Sequence, residues 1–234
     1  MSGRVLFQKA GLGRTVFLTL TLTLFSTGIA IFGFVGWQWY VEPQVESVKQ
    51  IEQVREVKLS VIPENVESDF IPDGTVFARM FIPSWGESWV RPVVEGTTNE
   101  ALWSGIGHYS NSSYPGAVGN FAVASHRTVS GAAFRDIDKL VNGDRIFVET
   151  GDGFYEYAVL NSRIVKPTDV GVLNSVPEGV EATEGISKFI TLTTCDPIYG
   201  NWNRYVVFGG LVNFYSEDKA PEVVQSMLKA IGSK

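Results

Sequence analysis

The sequence predicts a mainly all-β domain, closed as a barrel or stacked as a sandwich, with short helices and with one N-terminal membrane-spanning helix ahead of it. Three observations predict this. The first 40 residues hold a long uncharged apolar run, the region after Thr75 breaks into short β-rich segments, and Gly, Pro, Asn or Asp punctuates those segments. Repeated short strands joined by tight turns build barrels and sandwiches rather than helical bundles.

The apolar run comes first. No residue from Thr15 to Tyr40 carries a charge, and TVFLTLTLTLFSTGIAIFGFVGW exceeds the roughly 20 apolar residues a helix needs to cross a bilayer. Trp37, Trp39 and Tyr40 stand where an interfacial aromatic belt belongs. Arg4, Lys9 and Arg14 precede the span with no acidic residue among them. The positive-inside rule therefore puts residues 1–14 in the cytoplasm, the span at 15–40, and all that follows outside the cell. A cleaved signal peptide is the competing reading, because Gly28-Ile29-Ala30 has the small-x-small form of a cleavage site. Against it, the apolar run continues past Ala30 to the aromatic belt. Removing the three basic residues from a net charge of -6 leaves -9 on the exported part, which speaks against nucleic acid as a partner.

Residues 41–74 are expected to be an extracytoplasmic linker or stalk. Val45, Val48, Ile51, Val54 and Val57 recur every three residues with charges between them, which fits either a short juxtamembrane helix or a solvated charged spacer. We take the spacer. Ile71-Pro72-Asp73-Gly74 reads as a turn and marks the start of the folded domain, expected over 75–216. Within it TVFARMFI, NFAVAS, DRIFVET, FYEYAVLNSRIV, KFITLTT and RYVVFGGLVNFY read as strands. A short helix is expected over 131–140. In 217–234, Val223, Val224, Met227 and Ile231 have helical spacing, giving a peripheral terminal helix or a disordered tail.

The chain has one cysteine, so no intramolecular disulfide can form and the exported domain must rest on its core. Cys195 closes the apolar, β-branched run TLTTC and is followed at once by Asp196-Pro197. Proline cannot continue a ladder, so the thiol falls at a strand end. Nine residues on, after the loop IYGNWN, Arg204 opens the next strand, and a hairpin would bring it level with Cys195. A guanidinium there can stabilise the oxyanion formed when a thiolate attacks a carbonyl. Only two histidines are available as partners. His126 stands where the strand-like FAVAS gives way to a loop, a fixed yet reachable position, whereas His108 sits in the Gly- and Ser-rich GIGHYSNSS and reads as a hydrogen-bonding loop residue.

The segment VVEGTTNEALWSGIGHYSNSSYPGAVGNFAVASHRT resembles the core of a sortase, in which a loop carrying G-H-Y leads to the strand that bears the catalytic histidine. TLTTCDPIYGNWNRYVV resembles the sortase signature T-L-x-T-C followed eight or nine residues on by arginine. The resemblance covers about residues 75–216 and leans to the class E group. SDFIPDG lacks the Asp-Pro-aromatic lid motif of pilin-polymerising members, which favours a housekeeping role. ARMFIPSWGES departs from the usual first strand and leaves Trp85 in a loop of unassigned role.

The resemblance implies a sortase-like β-barrel and a cysteine transpeptidase with Cys195 as nucleophile, His126 as general acid and base, and Arg204 as oxyanion stabiliser. Thr194, Tyr109 and Tyr114 are substrate-binding candidates. The substrates implied are secreted proteins bearing a C-terminal L-A-x-T-G or L-P-x-T-G sorting signal, cut between Thr and Gly, and the acceptor is an amine of a peptidoglycan precursor. No metal or other cofactor is expected, since the scattered acids Asp136, Asp138 and Asp152 read as solvated surface. The rivals are an L,D-transpeptidase, which needs Ser-x-Gly-Cys and an arginine two residues after it, and a non-catalytic tethered β-domain.

Overall fold

The computed structural model describes residues 3–62, 71–180 and 185–232. The chain forms two compact units, Met1–Glu42 and Pro43–Lys234. The first is helix α1 (Gly3–Gly36) with a π-helical turn at Trp37–Val41. It is long and apolar enough to cross a membrane. Its threonines are poor helix formers, but the hydroxyls of Thr15, Thr21, Thr23 and Thr27 each donate to a carbonyl four residues back. Such pairing satisfies these hydroxyls within the helix, as hydrocarbon requires.

The second unit is a closed eight-stranded barrel. Its strands are β1 (Val76–Phe81), β2 (Val90–Glu95), β3 (Ile106–His108), β4 (Gly119–Ala124), β5 (Arg145–Thr150), β6 (Gly153–Val165), β7 (Lys188–Asp196) and β8 (Asn203–Ser216). They run in the order β1-β2-β3-β4-β7-β8-β6-β5 around the wall, with β5 returning to β1. β2 with β3 and β4 with β7 are parallel, and the other pairs are antiparallel. Met80, Val93, Ile106, Phe121, Ile190 and Leu192 fill the interior. Complete burial of each such side chain contributes about 1.5–3 kcal/mol.

All six segments read from the sequence as strands are strands. β2 and β3 were not. β2 contains Pro92, which argues against a mid-sheet strand, but the parallel pairing with β3 begins only at Val93, so the missing N–H interrupts no bond on that side. β3 is three residues long, too short for an alternating pattern. Helix α3 (Asn99–Ser104) links them, and the Thr98 side chain caps it by accepting from Ala101 N at 3.2 Å. The turn before β1 is as expected: Thr75 N–H donates to Pro72 O, and Gly74 takes φ of +81°.

Three expectations need correction. The segment 131–140 holds only one 3-10 turn, Ile137–Lys139. Ser130, Gly131 and Ala132 all have positive φ, which folds the chain back so that Phe134 N–H donates to His126 O and Phe134 enters the core. The first part of 41–74 is not a solvated spacer, because it forms helix α2 (Glu42–Glu56), which packs on the barrel. Gln50 donates to Trp103 O and Ser130 O, and Arg91 donates to Ser47 Oγ. The terminal helix, α4 (Glu222–Ala230), is not peripheral: Val224, Met227 and Ile231 join Val54, Phe81 and Phe147 in a second core, while Val223 stays exposed. Residues 63–70, which include Ser68, Asp69 and Phe70 of SDFIPDG, lie outside the described residues.

Candidate active site

The β4-β7-β8 wall sets the site. On β7 and β8, Cys195 pairs with Arg204, Thr193 with Val206 and Thr191 with Phe208. On β4 and β7, Ala122 pairs with Thr191 and Ala124 with Thr193. Directly paired residues share a face, and faces alternate with a period of two. Continuing the β4 register two residues past Ala124 brings His126 level with Cys195. Cys195 and Arg204 are directly paired at the end where β7 stops before Pro197, and His126 follows the adjoining end of β4.

His126, Cys195 and Arg204 are each half-buried. Burial pulls the His126 imidazole below its ordinary range. The Arg204 guanidinium donates through Nη1 to the carbonyls of Asn201 and Asn203, both at 2.9 Å. The hairpin loop thus anchors the arginine opposite the thiol. Gly200 lies under Trp202, whose ring is 2.6 Å from where a Cβ would stand, so the loop is tightly folded there.

The other candidates divide. Tyr109 is half-buried, and its hydroxyl lies 3.1 Å from Thr193 Oγ1, two residues before the thiol. Thr194 is only 3% exposed, and its hydroxyl donates to Ser125 O at 2.7 Å, so it tethers the loop beside His126 instead of facing a substrate groove. Tyr114 is also misplaced by the sequence reading. It packs edge-on to Phe77 and lines a pocket of about 500 Å³ together with Gly116, Tyr155, Lys188 and Phe214. Lys188 opens β7, so that pocket stands at the opposite end of the strand, about 23 Å from Cys195 at ~3.3 Å per residue.

Two residues that the sequence reading passed over join the site. Arg127 is 5% exposed and bonds Asp196 Oδ1 at 2.8 Å. The signal was in plain view, since opposite charges immediately follow His126 and Cys195. Trp85 is a packing residue, edge-on to Trp89 at 4.7 Å and to Phe134 at 6.3 Å. No cluster of three metal-ligating side chains occurs among the described residues. The three acids considered as ligands are each engaged: Asp136 with Lys139, Asp138 with Arg127, and Asp152 with Thr150 and Tyr155.

The sequence pattern of the sortase domain matches residues 80–212, more than half of the chain. The chain belongs to the sortase family. Sortase SrtE1 of Streptomyces coelicolor is 35% identical over 147 residues, covering 59% of this chain and 41% of its own length. Sortase A of Bacillus anthracis is 36% identical over 139 residues, 58% of this chain and 60% of its own. The chain thus spans about half the length of the curated relatives it matches. Among solved structures, sortase E from Streptomyces avermitilis superposes with a TM-score of 0.58 at 39% identity, covering 65% of this chain and 98% of that one. SrtF of Corynebacterium diphtheriae gives 0.62 at 29% identity, covering 71% and 99%. The barrel and the leaning to class E sortases are both borne out, and the L,D-transpeptidase reading falls.

Proposed function

We propose that this sortase is a membrane-anchored cysteine transpeptidase that cuts an L-A-x-T-G or L-P-x-T-G sorting signal between Thr and Gly. The observation that carries the reading is the pairing of Cys195 with Arg204 at the end of β7, with His126 following the adjoining end of β4. A cysteine, a base and a cation on three strand ends are what acyl transfer requires.

In this reading the Cys195 thiolate attacks the threonine carbonyl, and Arg204 stabilises the oxyanion. The C–N bond to glycine then breaks, His126 gives its proton to the departing amine, and a thioester remains on Cys195. An imidazole held below its ordinary range gives up that proton readily once it carries one. The acceptor amine, from a peptidoglycan precursor, next attacks the thioester and loses a proton to His126, and Cys195 leaves as thiolate. Tyr109 is assigned to contact the sorting signal, which its hydroxyl's position 3.1 Å from Thr193 Oγ1 supports.

Residues 1–14 are assigned to the cytoplasm, 15–40 to the bilayer, and the unit from Pro43 onward to the outer side, which the basic flank Arg4, Lys9 and Arg14 supports. The enzymatic reading is tested with the full chain in detergent and fluorogenic L-A-x-T-G and L-P-x-T-G peptides. Cys195→Ala should abolish cleavage while leaving the circular dichroism unchanged, and the L-A peptide should be cut at least as fast as the L-P one. A folded Cys195→Ala protein that still cleaves would leave the tethered β-domain as the surviving alternative.

A further inference from the structure

The hydrogen-bonded ladder between β4 and β7 ends at Ala124 and Thr193, yet acyl transfer needs His126 close to Cys195 two residues further on. One further backbone bond and two side chains hold the chain there. On one flank of His126, Ser125 N–H donates to Thr193 O at 3.2 Å and Thr194 Oγ1 donates to Ser125 O at 2.7 Å. On the other flank stands Arg127. Its Nη1 reaches Asp196 Oδ1 at 2.8 Å and Cys195 O at 3.4 Å, its Nη2 reaches Asp138 Oδ1 at 3.2 Å, and its guanidinium carbon lies 5.6 Å from the centre of the Tyr205 ring.

One buried side chain thus touches the residues that follow Cys195 and Arg204 in the chain, Asp196 and Tyr205. A planar fork with donors on two edges can hold two carboxylates and a carbonyl together, which an ammonium group cannot do in the same geometry. Asp196 is only 15% exposed and follows Cys195 in the chain. Without the guanidinium, Asp196 would leave an uncompensated carboxylate largely buried at the end of the strand that carries the nucleophile.

Resting on the transpeptidase reading above, we infer that Arg127 is a positioning residue for the reaction: by clasping Asp196 and the Cys195 carbonyl it holds His126 level with the nucleophile, and it neutralises the carboxylate that follows Cys195. It contacts neither substrate nor reacting atoms. The effect should therefore appear in the chemical step and not in substrate affinity.

The experiment uses the full chain in detergent, with steady-state peptide cleavage and alkylation of Cys195 by iodoacetamide. Arg127→Gln is expected to lower kcat by about 10-fold or more while KM stays within about 2-fold, as for loss of an interaction expressed only in the transition state. Arg127→Lys restores charge without the fork and should recover only part of kcat. In Arg127→Gln, alkylation should slow several-fold at neutral pH, and adding Asp196→Asn should restore it, since the uncompensated carboxylate is then gone. The alkylation readout needs no peptide, so it separates this inference from the sortase reading, which stands or falls with Cys195→Ala. A folded Arg127→Gln protein with wild-type kcat, or with its whole loss in KM, would overturn the clasp. Where Arg127→Gln does not fold, Asp196→Asn decides: an unchanged kcat overturns the inference, and a lowered kcat at unchanged KM upholds it.

Discussion

His108 closes β3 and His126 stands just past the end of the neighbouring β4, yet they live in opposite surroundings. His108 has no exposure at all, its Nδ1 2.8 Å from Glu95 Oε2 and its Nε2 3.0 Å from Ser112 Oγ. Phe77, Tyr114 and Phe121 enclose the ring. Both nitrogens are committed, so the residue pins β2 to the loop that follows β3. His126 stands two residues past the end of β4, half-buried, with its flanks tethered. The contrast teaches that a fold fixes an imidazole for structure by engaging its ring and for chemistry by engaging its neighbours. A reactive ring must be held in place without being used up.

The comparison can be broken most directly by removing each ring in turn. His126→Ala should lower kcat/KM for the sorting peptide by about 10²–10⁴-fold, the usual contribution of a positioned acid and base, with melting temperature nearly unchanged. Steady-state kinetics and thermal melting read both quantities. The next largest effect belongs to the β8 partner of Cys195. Arg204→Lys keeps the charge but loses the fork, and turnover should fall by about 100-fold or more, with Arg204→Ala as low or lower. The damage should fall on acylation by peptide and spare reaction with a small alkylating agent. Near wild-type turnover in Arg204→Lys would show that charge alone suffices.

His108→Gln should reverse the pattern of His126. It leaves Glu95 in the core without its ring partner, at a cost of about 1–3 kcal/mol in unfolding free energy, while kcat per folded molecule stays within a few-fold. Denaturant titration beside active-site titration separates the two; a large drop in kcat at full stability would move His108 into the chemistry. The smallest effect concerns pH. The folded state holds His126 below its ordinary pKa, so below about pH 6.5 the unfolded chain binds the extra proton first. Stability from this residue is thus present above that pH and is lost as pH falls toward the depressed folded value. Melting temperatures measured between pH 7.5 and 5 should fall less for His126→Gln than for the parent. Equal slopes would show that the ring is as well solvated in the folded state as in the unfolded one.

Much of this was written in local sequence. The uncharged run 15–40 is a helix, six strands stood where β-branched residues and turn residues bracketed them, and Asp196-Pro197 ended β7. Those features depend on neighbours along the chain: charge density, side-chain period and the missing N–H of proline. Cys195, His126 and Arg204 could be picked out because each stands at a strand boundary in a recognisable context, and there were few cysteines and histidines to choose from.

What the sequence could not decide was set by partners far away in the chain. Whether Tyr114 and Thr194 face a groove depends on which strand end they occupy and which hydroxyl or ring meets them, and the answers lie at Phe77 and Ser125. The valines of α2 repeat with a period that fits a spacer as well as a packed helix. Only the presence of α4 and the β1 and β5 side chains turns Val54 into core. The site itself is a product of register, since the parallel alignment of β4 with β7 joins segments about 70 residues apart, and no local pattern encodes it. Local sequence determined where strands end and which reactive groups stand at those ends, because propensity, period and proline act over a few residues. Closure of the barrel decided which ends meet, because pairing between distant strands is fixed by the whole set of buried faces at once.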